Sequence, residues 1–185
     1  MVTADHGESF GEHYFISHGS HLYEDNVRVP LLVREPGQTD GRRVKHAVQN
    51  HRIFASVLAA AGTNLNPALP AGSLLGSHEP IIVEVKRSDS NIRLFGEFFA
   101  RDLRAILDPP YKLVLSSRGG RELFDVERDP GELGDLARAQ PERVDALSST
   151  FDRLASERPP LYDEANRATL RKETEEALRA LGYLD

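Results

Sequence analysis

The chain has 185 residues, 39% of them apolar and 28% charged, an ordinary globular balance with length enough for one domain with a real core, or one and a half. A formal net charge of −6 argues against a nucleic-acid binder and against a binder of acidic membrane surfaces. The lack of cysteine excludes disulfides and thiolate metal sites, and no apolar run reaches the length of a membrane span.

The densest chemistry comes first. Between Thr3 and Val33 lie four histidines (His6, His13, His18 and His21) among several carboxylates and glycines. Asp5 and His6 are adjacent ligand types, one hard oxygen and one imidazole nitrogen, followed at once by Gly7, which permits a tight backbone turn. Neighbouring side chains of a strand point to opposite faces, so these two reach one ion only if the strand ends at this point. A strand that delivers ligands at its end is expected to be about five or six residues long. Here Met1-Val2-Thr3 enters the motif at once, so the chain is expected to be cut upstream. It has no charged n-region followed by an apolar h-region, hence no export signal of its own, and its compartment stays open.

Next, Val27 to Val33 is rich in branched apolar residues and predicts a buried strand, with Pro30 marking an edge or a bulge. Glu35 to Arg43 reads as a polar turn and Val44 to Val48 as a second short strand. His51 to Ala61 sets Ile53, Phe54, Val57, Leu58 and Ala61 on one helical face, with Gly62 as the stop, and predicts a helix packed on a sheet. The Pro- and Gly-bearing run Asn64 to Ser77 is a linker. Beyond it come short β-rich runs, Ile81 to Val85, Ile92 to Phe99, Asp102 to Leu107, Tyr111 to Leu115 and Glu122 to Phe124, separated by turn chemistry at Ser88-Asp89-Ser90, Asp108-Pro109-Pro110 and Gly119-Gly120. Their spacing leaves no room for parallel crossovers and predicts an antiparallel meander. Asp125, Asp129 and Glu132 are turn and cap residues around Pro130-Gly131. Pro141 to Glu157 carries Val144, Leu147, Phe151 and Leu154 at helical spacing and should cover one face of the sheet. After Pro159-Pro160, Ala168 to Leu181 predicts a terminal helix.

Taken together, T-A-D-H-G-E-x-x-G-E-H and then H-G-x-x-L-Y-E-x-x-x-R-V-P-L-L-V-R-x-P-G resemble the C-terminal metal-site segment of sulfatases in the alkaline-phosphatase superfamily. R-A-I-x-x-x-x-Y-K-L-V and E-L-F-D-V-E-R-D-P-G-E-L-x-D-L-A resemble the small C-terminal sheet of the same family, and Gly72-Ser73-Leu74-Leu75 its G-x-S-L-L sequence. The resemblance implies an α/β fold: residues 1–76 as the last part of the catalytic domain, 77–158 as a small antiparallel subdomain covered by a helix, and 159–185 as a Pro-rich connector and terminal helix.

For the site, the resemblance implies Asp5 and His6 as ligands of a divalent metal. His18 falls near the position, usually Lys or His, whose positive charge holds the sulfate oxyanion. The spacing to L-Y-E runs one residue longer than in Lys-type members, which leaves His21 as the alternative catalytic histidine. His13 is structural, Glu8, Glu12 and Glu24 are supporting or surface groups, and Arg28 is an ion-pairing residue at the start of a strand. Hydrolysis of an anionic ester needs a cation to polarise its oxygens and donors where charge develops. A histidine facing that anion keeps its charged form favoured, or serves as general acid to the leaving oxygen.

Family resemblance favours calcium, whereas an imidazole ligand suits manganese or zinc better. The implied substrate is a sulfate ester of a small molecule or carbohydrate. Two alternatives stand beside it: a phosphonate monoester or phosphodiester hydrolase of the same superfamily, and a non-catalytic interaction module. The second is raised by the absence of an Asp-Asp pair and of a Cys/Ser-x-Pro-x-Arg nucleophile motif, which in the family lie upstream. An uncovered edge near Val27 to Val33 predicts self-association.

Overall fold

In a computed structural model, residues 1–35, 37–63, 79–157, 176 and 179 are described. The chain opens with β1 (Val2–Thr3), β2 (Ser9–Phe10), a single 3-10 turn at Glu12–Tyr14 and β3 (Ile16–Ser17). A one-turn helix α1 (Glu24–Val27), β4 (Leu31–Leu32) and helix α2 (Arg52–Ala60) follow. Then come β5 (Ile81–Val85), α3 (Asp89–Phe95), β6 (Leu103–Asp108), β7 (Tyr111–Ser116), β8 (Arg121–Asp125) and α4 (Pro141–Glu157). Met1–Phe151 forms one compact unit and Asp152–Asp185 another.

The organising layer is an antiparallel sheet in the order β5-β6-β7-β8. Its register pairs Ala105 with both Val83 and Val114, and Lys112 with Phe124. Because successive side chains alternate, these residues share one face. On that face Leu22 and the half-buried Tyr23 and Val27 of the first segment pack against Leu103, Ala105, Val114 and Phe124. The opposite face meets α4, where Arg104 lies over the Phe151 ring and Arg143 over Tyr111. Val144, Leu147 and Phe151 are buried, as their spacing predicts. The antiparallel meander and its covering helix are therefore present.

Several expectations are corrected. Ile92 to Phe99 is helix α3 followed by a 3-10 turn at Glu97–Phe99, not a strand. Ser88 caps α3 by accepting from the Asn91 N–H, and Gly96, at φ 94°, ends it, so Ser88-Asp89-Ser90 is a helix start and not a hairpin turn. Val44 to Val48 forms no ladder; Val44 and Val48 are half-buried in irregular backbone. Only Leu31–Leu32 of Val27 to Val33 is a strand, paired antiparallel with β1, and Leu32 is 62% exposed. Helix α2 buries Arg52 and Ala55, and of the predicted face Ile53 and Leu58 are half-buried while Phe54 and Val57 stay more than half exposed. Arg52 accounts for this by turning inward to pair with Glu79.

The expected boundary after residue 76 falls among residues 64–78, outside the described residues, and both its flanks belong to the same compact unit. The linker, Gly72 to Leu75 and the predicted terminal helix, apart from helical Glu176 and Arg179, also lie outside the described residues.

Candidate metal and oxyanion site

β1 stops after Thr3, and the Asn50 side chain ties it down by donating to the Ala4 carbonyl at 3.0 Å. Freed from strand alternation, Asp5 and His6 turn the same way. The His6 N–H donates to Asp5 Oδ1 at 3.0 Å, and His6 Nε2 lies 3.8 Å from Asp5 Oδ2. His6 Nδ1 is 2.8 Å from the Gly7 carbonyl oxygen, which can only accept, so Nδ1 carries the proton and Nε2 presents its lone pair beside the carboxylate. That tautomer and orientation are what a metal-binding histidine needs.

Gly7 is required for a different reason from the one its sequence suggests. It does not occupy a left-handed conformation, but a Cβ there would stand 1.9 Å from the Asp25 carbonyl oxygen. The chain passes this close because the Gly7 N–H donates to the Asn26 carbonyl at 2.7 Å.

His18 follows β3 at the open base of the β2–β3 hairpin, across from Glu8, and its ring stacks on His6 with centroids 3.9 Å apart. Its Nδ1 is held by Glu8 Oε2 at 3.1 Å. Glu8, left as a supporting or surface group from sequence, is thus the residue that orients His18. Asp5, His6 and His18 stand together at the surface, with 88%, 45% and 45% of their side chains exposed.

His21 lies elsewhere. It is 2% exposed, and burial pushes its pKa below the ordinary histidine range, partly opposed by Asp25. Its Nδ1 accepts from the Tyr23 N–H at 3.3 Å, so Nε2 carries the proton and donates to Ser9 Oγ at 2.8 Å. Ser9 Oγ in turn donates to Asp25 Oδ2. His13 stacks on Tyr23 at 3.7 Å, in keeping with a structural role.

Beneath the segment, Lys112 is 1% exposed and bridges Glu24 at 3.0 Å and Glu132 at 2.7 Å. Glu132 Oε2 also accepts from the Glu24 N–H at the start of α1, at 2.6 Å. Burial raises the Glu132 pKa, against the pull of Lys112. Tyr23 OH donates to Glu122 at 3.1 Å. Glu24 is therefore no surface group, and the Glu132 side chain caps the start of α1, while only its backbone N–H takes part in its own turn. No local pattern marks these partners, since Glu24 stands 88 residues from Lys112.

An open trough of about 1390 Å³ runs from Asp5, His6 and His18 along Val29, Leu31 and Val83. It exceeds the roughly 300–1,000 Å³ of a small-ligand pocket, so the side chains at its end locate the site and the volume does not. Among the described residues no group of three or more His, Asp or Glu side chains is placed to hold a metal ion. The donors that fit are one Asp5 oxygen and His6 Nε2, a partial set for a dication that takes four to eight ligands.

The chain takes the form of part of an alkaline-phosphatase-like fold, with Asp5 and His6 at a strand's end and the segment that carries them resting on an antiparallel sheet. Its structure superposes on the phosphonate monoester hydrolase of Agrobacterium radiobacter with a TM-score of 0.69 at 23% identity, covering 85% of this chain and 34% of that one. The sulfatase family model matches residues 1–63. The chain is 32% identical over 162 residues to the uncharacterized sulfatase YidJ of Escherichia coli (strain K12), covering 83% of this chain and 32% of that protein. It is 25% identical over 176 residues to an arylsulfatase of Clostridium perfringens, covering 90% and 35% respectively. The chain belongs to the sulfatase family, and it spans about a third of the length of the relatives it matches. Among the described residues, no helix is long and apolar enough to cross a membrane.

Proposed function

We propose that this chain supplies the Asp5–His6 arm of a divalent-metal site and the His18 contact to the oxyanion of a sulfate ester, in a metal-dependent sulfuric ester hydrolase. The observation that carries this reading is the convergence of three side chains at one exposed edge. His6 Nε2 is free beside Asp5, and the His18 ring is stacked on His6. When bound, the cation polarises the ester oxygens and offsets charge developing on them. Asp5 supplies the negative charge that attracts it, and the Gly7 carbonyl fixes the His6 tautomer. Glu8 holds His18 through Nδ1, leaving Nε2 as the group turned to the ester. His21, buried and neutral, supports the hairpin from below and leaves the oxyanion contact to His18. Family resemblance makes calcium the first choice of ion, while the imidazole donor favours manganese or zinc.

A second reading, phosphonate monoester or phosphodiester hydrolysis, draws support from that nitrogen donor and from the shared fold of the phosphonate monoester hydrolase. Aryl sulfate and aryl phosphonate esters, assayed side by side in a polypeptide that carries this chain intact, separate the two. The sulfatase reading expects the sulfate to turn over faster and His18→Ala to lower its kcat/KM by about 10²-fold or more. Faster phosphonate turnover defeats it.

A further inference from the structure

Asn26 is 5% exposed and lies in α1, outside the groups assigned so far. Its carbonyl accepts from the Gly7 N–H at 2.7 Å, and its Oδ1 accepts from the Gly19 N–H at 3.2 Å. Its Nδ2 donates to Ser9 Oγ at 2.8 Å. Gly7 follows His6, Gly19 follows His18, and Ser9 follows Glu8, the residue that holds His18. One buried side chain and its carbonyl thus reach the neighbours of every group that makes the His6–His18 contact.

That contact has no covalent origin, because twelve residues separate the two rings and they meet at the exposed base of a hairpin whose strands are two residues long. Hydrogen-bonded strands this short do not fix a register by themselves. Ser9 cannot stand in for Asn26, since its hydroxyl proton is committed to Asp25 and it accepts from His21 and Asn26.

We propose that Asn26 is a positioning residue that sets His6 against His18 by holding Gly7 and Gly19 on either side of itself. The inference takes its functional meaning from the site reading above, but its test uses neither metal nor ester, so the two can fail separately. In the unaltered chain, amide exchange of Gly7 and Gly19 should be slow for both. Asn26→Ala should speed exchange at Gly19 by about tenfold, the scale of one lost hydrogen bond, and abolish the nuclear Overhauser contact between the two imidazole rings. Val144→Ala, which opens a cavity under α4 and lowers stability without touching Asn26, should leave the ring contact intact. If Asn26→Ala does not fold, Asn26→Leu, which keeps the branched shape and removes the side chain's polar contacts to Gly19, Ser9 and His21, is read in the same way. Survival of the ring contact in the folded variant, or open-loop exchange at Gly19 in the unaltered chain, overturns the proposal.

Discussion

In the sheet β5-β6-β7-β8, strands of five and six residues pair over their whole length, and the buried positions are mostly apolar: Leu103, Ala105, Ile106, Leu113, Val114, Leu123 and Phe124, with Lys112 and Asp125 the polar exceptions. In the first 33 residues no strand exceeds two residues, and the buried positions are Ser9, His21, Leu22 and Asn26. The sheet gains stability from apolar area, which is tolerant of small shifts. The segment relies on directional hydrogen bonds, and it borrows an apolar floor by resting Leu22, Tyr23 and Val27 on the sheet. A surface cluster that brings Asp5, His6 and His18 together while leaving them exposed cannot rest on apolar packing alone; it needs a rigid neighbour and polar staples. Lys112, Glu24 and Glu132 are the principal staple.

The sharpest way to break this contrast is Lys112→Met. It leaves Glu24 and Glu132 buried without their cation and should cost about 3–5 kcal/mol in urea unfolding, because an uncompensated buried charge is worth more than the pair itself. If the segment is independent of the sheet, the loss will be confined to a shift in local exchange around α1 and the global midpoint will hold.

Smaller in effect is Gly7→Ala. A methyl group 1.9 Å from the Asp25 carbonyl must push Gly7 away from Asp25 and Asn26, costing about 1–3 kcal/mol and carrying the neighbouring His6 with it. Unchanged stability together with unchanged His6 chemical shifts would show that the close approach is not needed.

The mildest effect is on pH dependence. His21 is held neutral by burial, so its folded pKa lies below the ordinary value of about 6.5, and the unfolded chain binds the extra proton. Stability contributed by His21 is then present above about pH 6.5 and lost as pH falls from there toward the folded value. His21→Gln should flatten that slope in unfolding curves measured across the window, and an unchanged slope would show that His21 is not its source.

The parts of this molecule that could be read from sequence are those whose causes are local. Asp5 and His6 are covalent neighbours, so ending the strand suffices to bring them together. The β6–β7 turn is written in Asp108-Pro109-Pro110, and α4 in the spacing of Val144, Leu147 and Phe151. Where local signals compete, the sequence is ambiguous: Ser88-Asp89-Ser90 serves a turn or an N-cap equally well, and only the bond that Ser88 accepts from the Asn91 N–H decides for α3. The apolar run Val27 to Val33 implied burial, yet two residues pair and Leu32 is exposed. The staples were illegible because Glu24 and Glu132 are 108 residues apart, and nothing near either residue names its partner.

On the proposed function, Asp5 and His6 grip one dication. Titrating Mn²⁺ into the isotope-labelled chain and following all resolved histidine rings by NMR tests it most directly. The His6 ring, with its free Nε2, should broaden first, His18 should follow through its stacked contact, His46 and His51 should lag, and Asp5→Asn should raise the Mn²⁺ needed at His6. Equal broadening of all the histidines, or a His6 response indifferent to Asp5→Asn, would contradict the account.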